Sequence, residues 1–189
     1  MRRWNESDLD AFAALNADPV VMEYFPAPLS FEECAFVLEQ IEAGFDQRGF
    51  GIWALEQAGD GTFIGLTGLS VVPFAAHFTP AVEVGWRLLP AAWGHGYATE
   101  AATASIDYGF GQAGLSEIVS FASQVNARSL AVMRRLGMHS DGADDFDHPQ
   151  IPLDSPLCRH VLYRLRADEW RGGTARAVSP ATRGSDPRR

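Results

Sequence analysis

The sequence predicts a mixed α/β domain of the α+β type, and three patterns support that prediction. Two strand-like apolar segments, residues 50–58 and 62–72, flank a tight turn at Gly59–Gly61, which is typical of a β-hairpin. Segments with helical spacing and recognisable caps lie on both sides of that hairpin in the chain. The length of 189 residues suits one domain with a sizeable core.

The elements before the hairpin are a strand stub and two helices. Residues 1–4 have room for only a short edge strand, and a helical pattern runs from Ser7 to about Asn16. Ser30 and Glu33 form a capping box that starts a second helix. The apolar spacing predicts an inner side for this helix, made of Phe36, Val37, Gln40, Ile41 and Gly44.

The elements after the hairpin alternate between strand and helix. Strands are predicted over residues 82–89, 116–123 and 157–165. A helix is predicted over residues 99–110, and Asn126 caps another that Gly137 closes. Residues 141–156 are rich in Asp and Pro and are predicted to be mostly loop.

The composition excludes several classes of protein. A net charge of −9 argues against nucleic-acid binding and favours basic or neutral partners. No apolar run reaches the length of a membrane span, and the first residues lack the apolar stretch of a signal peptide. Cys34 and Cys158 are isolated and have no metal-ligand spacing, so we expect them to be buried or half-buried thiols in a reducing compartment. We therefore expect a cytoplasmic protein, monomeric or homodimeric, without metal, membrane or nucleic-acid partners.

The most informative segment runs from Leu89 to Ala101. A Gly94-His95-Gly96 turn lies there between a strand and an Ala-rich helical segment. Consecutive backbone N–H groups in such a turn can converge on an anion, and the helix adds the positive end of its dipole. A Walker loop is excluded because the chain has no lysine, and a dinucleotide fingerprint because position 99 is Thr. The segment is therefore either a pyrophosphate cradle of backbone amides or a plain strand-to-helix connection.

The segment Trp93–Ala101 resembles the acetyl-CoA pyrophosphate loop of GNAT N-acetyltransferases, in the branch of the ribosomal-protein acetyltransferases RimJ and RimL. Further blocks carry the same resemblance in the same order: Trp4–Leu9 with Asn16–Pro19, Glu83–Leu88, Asn126–Ser129 and Leu136–Met138. The resemblance implies a single GNAT domain over residues 1–166. Its expected fold is a central mixed, mostly antiparallel twisted sheet with a splayed strand pair, flanked by about four helices. Residues 167–189 are expected to form a disordered tail.

The activity that this resemblance implies is transfer of the acetyl group of acetyl-CoA, as co-substrate, to a primary amine. The amine would attack directly in a ternary complex. The acceptor stays open between a protein N-terminus and a small molecule such as an amino acid, a polyamine or an antibiotic, and the negative net charge favours a cationic one. The alternatives are a non-catalytic acyl-CoA-binding or sensing module and a nucleotide-binding structural domain.

Glu83 is the candidate general base. It lies on the predicted strand among apolar residues, where burial should raise the pKa of its carboxylate, and it shares a face with Gly85. The alternative is a structural Glu bonded to a loop. The superfamily often has a Tyr general acid at the position of Met133, which cannot donate a proton. In the resembled branch the Ser of the Asn-x-x-Ser motif is the proposed substitute, which implies that Ser129 is the acid near the CoA sulfur. The alternative is a Ser that satisfies the first helical turn.

The resemblance also implies a set of cofactor-binding residues on the strand edge, the loop and the Asn126 helix. They are Trp86, Arg87, Leu88, Trp93, Gly94, His95, Gly96, Tyr97, Ala98, Thr99, Asn126 and Ser129. Arg128 and Arg135 are either solvated or near the 3′-phosphate of CoA. His148 either lines the amine site or has no role. Several aromatic residues are candidate pocket walls or core: Trp4, Phe25, Trp53, Trp86 and Phe146.

Overall fold

A seven-stranded sheet forms the centre of the computed structural model, which describes residues 1–170. The α-helices in this part are α1 (Leu9–Ala17), α2 (Phe31–Arg48), α3 (Tyr97–Gly111) and α4 (Ala127–Arg135). The strands are β1 (Ile52–Glu56), β2 (Phe63–Val71), β3 (Val82–Leu88), β4 (Glu117–Ser123), β5 (His139–Ser140), β6 (Phe146–Asp147) and β7 (Arg159–Arg166). The mixed α/β prediction is confirmed.

The sheet has one parallel pair among antiparallel ones. Its strand order is β1-β2-β3-β4-β7-β5, and β6 also pairs with β7. The parallel pair is β3 with β4, and its register contains a single residue pair, Glu83 with Val119. The neighbouring pairs β2–β3 and β4–β7 each continue over seven residue pairs. The two central strands therefore part beyond Glu83, which confirms the expected splayed pair in a mostly antiparallel sheet.

The two faces of the sheet carry different layers. On one face, α3 and α4 bury Ile106 and Met133 against Val84 and Ile118. On the other face, α1 and α2 pack on β1 and β2 through a separate cluster around Phe12. Because side chains alternate along a strand, the residues of β3 are divided between these faces. Glu83, Gly85 and Arg87 share the face of α1 and α2, since Arg87 is the cross-strand neighbour of Leu66, which packs in that cluster.

Local capping follows the sequence, and the predicted inner side of α2 is confirmed in part, because Gly44 is buried and Val37 and Ile41 pack against the core. Ser30 and Glu33 form the predicted capping box, and Gly49 ends α2 in the left-handed conformation with φ 77°. The buried residues of α2 are Cys34, Leu38, Gly44 and Phe45. Phe36 is 61% exposed, so its predicted inward position is wrong. Gln40 is exposed as well, and the contact of α2 with α1 and β1 adds Cys34, Leu38 and Phe45 to the inner side.

Both ends of the described chain are attached to the domain. The predicted stub consists of one antiparallel bridge between Arg2 and Ala54, and the Arg2 guanidinium pairs with Asp8 and Glu56. At the other end, the Trp170 indole donates to Asp107 on α3 over 2.6 Å. The rest of the predicted tail, residues 171–189, lies outside the described residues. Within residues 1–170 no helix is long and apolar enough to cross a membrane.

Candidate active site

Two cavities open where β3 and β4 part, and they share a wall. The first has a volume of 700 Å³ and lies between the 93–99 loop and α4. The second has a volume of 390 Å³ and lies on the side of Glu83. The residues that line both are Tyr24, Phe25, Trp86, Arg87, Asn126 and Ser129. Two ligands placed in the two cavities would therefore meet at this shared wall.

The 93–99 loop offers a run of unpaired backbone donors to the first cavity. Gly94 and Gly96 adopt left-handed conformations with φ 80° and 85°, and Gly96 is the N-cap of α3. The first helical backbone bond runs from Glu100 N to Gly96 O. Among the described residues, the N–H groups of 94–99 have no hydrogen-bond acceptor. This geometry fits the anion cradle expected from the sequence.

Two aromatic residues hold the loop in place. The Trp93 indole donates to the Leu88 carbonyl over 2.8 Å, which ties the loop back to the end of β3. The Tyr97 hydroxyl accepts from the Gln57 amide over 2.9 Å, and its ring packs with Leu88 in a small core. His95, by contrast, is exposed and its side chain does not line the cavity. Only its backbone N–H is available to a ligand there.

The first cavity is cationic in an acidic protein. Its charged lining residues are Arg87, Arg128 and Arg135, and within residues 1–170 no carboxylate lines it. The Arg128 guanidinium lies 4.3 Å from the Trp93 ring centroid and 3.9 Å from a Glu23 oxygen. Together with the loop amides, Arg128 and Arg135 suit a ligand that carries several phosphate charges.

The edge of β3 at the parting point is unpaired. The Leu89 N–H bonds to the Ile64 carbonyl on the β2 side. Because peptide groups alternate along an antiparallel strand, those of Trp86 and Leu88 point away from β2 into the gap. The Leu88 carbonyl is taken by Trp93. The remaining polar groups of Trp86 and Leu88 can pair with an extended ligand laid along the strand.

Glu83 lines the second cavity without a partner. Its side chain is half-buried, and no described residue forms a hydrogen bond or ion pair with its carboxylate. Burial raises the pKa of Glu83 from 4.5 to about 8. A Cβ added to Gly85 would lie 4.0 Å from Glu83 Oε1 and meet no other group, so the space beside this carboxylate is open.

Ser129 and Asn126 lie on the shared wall at the start of α4. The Asn126 side chain caps the helix by accepting from the Ser129 N–H over 3.1 Å, as predicted. The Ser129 hydroxyl has no hydrogen-bond partner among the described residues, including the backbone of its own helical turn. It is therefore available to a group at the junction of the cavities. Met133, one turn further on, borders the second cavity but cannot donate a proton.

A histidine pair lines the second cavity together with Glu83. The rings of His148 and His160 are 4.9 Å apart, and both line this cavity. Burial, reinforced by the nearby His160, lowers the pKa of His148 to about 4. Burial also lowers the pKa of His160, whose Nδ1 lies 3.0 Å from the Cys158 carbonyl. Burial therefore favours the neutral form of both rings, which offer shape and hydrogen bonding to a ligand.

The structure brings together most of the predicted site and adds to it. Of the predicted aromatic walls, Phe25 and Trp86 line the cavities, whereas Trp4, Trp53 and Phe146 pack elsewhere in the core. His160 was not predicted, because a histidine in a terminal strand gives no local signal. The side chain of Arg87 was not predicted either, since only its backbone was assigned a role. Within the described chain there is no group of three His, Cys, Asp or Glu residues suited to a metal ion.

Several known proteins with similar sequences or structures are named as acetyltransferases. The acetyltransferase (GNAT) domain family matches residues 1–139. FsC-acetyl coenzyme A-N(2)-transacetylase of Aspergillus fumigatus is 30% identical over 165 residues, which are 82% of this chain and 68% of that protein. The uncharacterized N-acetyltransferase YnaD of Bacillus subtilis is 26% identical, covering 90% of this chain and 94% of its own. The crystal structure of an acetyltransferase from Agrobacterium tumefaciens matches with a TM-score of 0.70 at 28% identity, over 87% of this chain and 88% of that one.

We expect Glu83→Gln to make the protein more stable than the wild type at alkaline pH. The folded-state pKa of about 8 is higher than the ordinary 4.5, so the folded protein binds this proton more tightly than the unfolded chain. Stability from Glu83 is therefore fully present below pH 4.5 and is lost as the pH rises through 8. Between pH 5 and pH 9, the melting temperature of the wild type should fall relative to that of Glu83→Gln. The control is Glu39→Gln on an exposed position of α2, which should follow the wild type; parallel curves for all three proteins would contradict the burial of the Glu83 charge.

Proposed function

The chain belongs to the GNAT acetyltransferase family, an acyltransferase enzyme family, and we propose that it transfers the acetyl group of acetyl-CoA to a primary amine within a ternary complex. One observation carries the proposal: two cavities meet where β3 and β4 part. One is lined by arginines and free backbone N–H groups, and the other by an unpaired carboxylate. The cavities would hold the acyl donor and the amine.

Acetyl-CoA fits the first cavity by charge and by shape. Its pyrophosphate would accept hydrogen bonds from the N–H groups of residues 94–99 at the positive end of the α3 dipole. Arg128 and Arg135 border the same cavity and are placed to meet its remaining phosphate. The pantetheine amides would pair with the free peptide groups of Trp86 and Leu88 and with the Asn126 side chain. This grip needs no lysine, which agrees with a chain that has none.

Glu83 would act as the base for the incoming amine. The amine nitrogen attacks the thioester carbonyl, and the proton it loses passes to the Glu83 carboxylate, directly or through one water. A pKa of about 8 makes this carboxylate a stronger base than an exposed Glu, although only part of it is ionised at pH 7. The open space above Gly85 leaves room for the amine beside it.

Ser129 would assist the departure of CoA. As the C–S bond breaks, negative charge develops on sulfur, and a hydroxyl on the shared wall can donate a hydrogen bond to it. The absence of any other partner for this hydroxyl among the described residues supports the role. Met133 leaves no side-chain acid one turn away, so Ser129 or water supplies the proton.

We assign the chain to the RimJ/RimL-like branch on its Trp-Gly-x-Gly-Tyr-Ala-Thr-Glu-Ala loop. The Trp93 bond to Leu88 gives a physical reason for tryptophan at the start of that loop. The acceptor is an amine of a protein N-terminus or of a small molecule; the Aspergillus fumigatus relative is named for N-acetyl transfer. We assign residues 1–166 to a single catalytic domain. Free, buried Cys34 and Cys158 agree with a cytoplasmic location.

We expect Gly96→Ala to weaken CoA binding at least tenfold, because its Cβ would enter the anion cradle. The substitution also strains a backbone with φ 85°. The matched control is Gly114→Ala, where φ is 65° and the added Cβ also meets no neighbour, but which lies outside both cavities. Calorimetry with CoA separates the two effects. Equal affinities for the two variants would show that the loop does not hold the pyrophosphate.

With any amine that is turned over, Glu83→Gln and Ser129→Ala should differ in their pH profiles. The wild-type kcat, measured with saturating amine so that ionisation of the free amine does not enter, should rise with pH to a plateau above a pKa near 8. Glu83→Gln should lose this limb and about two to four decades of turnover. Ser129→Ala should keep the limb, with a plateau lowered by about ten- to a hundredfold. An unchanged limb in Glu83→Gln would reduce Glu83 to a structural residue, and full activity in Ser129→Ala would leave water as the acid.

A further inference from the structure

The second cavity contains an imbalance of charge. Its only ionisable lining residues among those described are Glu83, Arg87, His148 and His160, apart from the Tyr24 phenol. Burial raises the pKa of Glu83 to about 8 and lowers the pKa of both histidines, so it favours the neutral form of all three. Burial lowers the pKa of Arg87 only to about 10, so this guanidinium keeps its charge. The fixed charge of the cavity is therefore positive, although the chain as a whole is acidic.

Arg87 has no carboxylate partner within residues 1–170. Its Nη1 donates to the Asn16 side-chain oxygen, and its guanidinium carbon lies 4.0 Å from the Phe25 ring centroid. Its Nε is buried and has no hydrogen-bond acceptor. Arginines removed from water are normally paired with anions, because an unpaired charge is costly to bury. The ion pairs within residues 1–170 involve other arginines or histidines, such as Arg2 with Asp8 and Arg164 with Asp144.

The guanidinium is nevertheless held in a defined place. Asn16 is completely buried, and its amide donates to the Phe12 carbonyl over 2.7 Å. This bond orients the Asn16 oxygen toward Arg87, while Phe25 covers one face of the guanidinium. The guanidinium is thus fixed by neutral groups while its Nε–H still lacks an acceptor. A cation held in this way is preorganised to bind an anion.

The position of Arg87 relates it to the reacting amine. Glu83, Gly85 and Arg87 lie on one face of β3, and residues two apart on a strand are about 7 Å apart. The space above Gly85 is open, with Glu83 Oε1 as the one neighbour within 4 Å of an added Cβ. An amine in this space would have Glu83 on one side and Arg87 on the other. A negative group a few bonds from the amine would reach the guanidinium.

We propose that the acceptor is an aminocarboxylate, an amine that carries a carboxylate, and that the Arg87 guanidinium binds this carboxylate. This assignment rests on the proposed acetyl transfer and narrows its substrate class. It disfavours polyamines, because a second ammonium group would face Arg87 rather than a carboxylate. The overall negative charge, which favoured cationic acceptors, is carried mainly outside this cavity.

The test is the equilibrium binding of matched amines in the presence of CoA, and binding is measured by ligand-observed NMR titration. The pairs are phenylalanine with phenethylamine and 5-aminopentanoate with pentylamine, which differ in the carboxylate, and spermidine serves as the polycation. Wild type should bind the aminocarboxylate of at least one pair about ten- to a hundredfold more tightly than its partner, the range for a charged hydrogen bond. Arg87→Gln should abolish that preference.

Two further variants keep the test decisive if Arg87→Gln folds poorly. Asn16→Asp supplies an internal carboxylate to Arg87 and should also abolish the preference while the arginine remains. Arg134→Gln removes an exposed arginine of α4 outside both cavities and should keep it. Equal binding within each pair, absence of aminocarboxylate binding at millimolar concentration, or a preference that survives in both Arg87→Gln and Asn16→Asp would overturn the assignment.

Thiol release from acetyl-CoA with the same amines separates this inference from the proposed function. Release with pentylamine or spermidine as fast as with the aminocarboxylates would leave acetyl transfer standing and the carboxylate assignment wrong. Failure of every amine to release thiol would count against acetyl transfer, and the binding preference would still decide the role of Arg87.

Discussion

The parting of β3 from β4 after one residue pair is the constraint on which the site depends. A continuous ladder there would consume the peptide groups of Trp86 and Leu88 and close both cavities. Each strand is held on its other side by seven residue pairs, so the rest of the sheet stays paired where the gap opens. Trp93 then caps the Leu88 carbonyl and turns the chain into the 93–99 loop. The free peptide groups of β3, the two cavities and the position of the 93–99 loop all depend on this local loss of strand pairing.

Electrostatics divides the two cavities into separate tasks. The first combines unpaired amides with arginines, which would favour a polyanion even in a protein of net charge −9. The second is lined by the Glu83 carboxylate and two imidazoles, whose neutral forms are favoured by burial, and by the Arg87 guanidinium. The burial that raises the pKa of Glu83, and so makes it a stronger base, also destabilises the folded protein when that residue ionises. Stability and catalysis therefore oppose each other at this position.

Local features were predictable from the sequence, and non-local ones were not. Asn126 capping, the Ser30 capping box and the glycine turn depend on residues within one helical turn of each other. The buried side of α2 was predicted only in part: Gly44 lies inward, but Phe36 is exposed because contacts with α1 and β1 decide which residues are buried. The Asn16–Arg87 contact joins residues 71 apart, and the His148–His160 pair depends on the antiparallel pairing of β6 with β7. Sequence spacing contains no record of such contacts.

The most direct measurement of the central claim is amide hydrogen exchange with and without acetyl-CoA. If the proposal is right, the splayed edge and the loop receive the cofactor through free backbone N–H groups. Exchange at Trp86, at Leu88 and across residues 94–99 should be fast in the free protein and slow markedly when acetyl-CoA is bound. The β1–β2 hairpin, whose amides already pair within the sheet, should not change. Protection elsewhere, with unchanged exchange at the edge and the loop, would contradict the account.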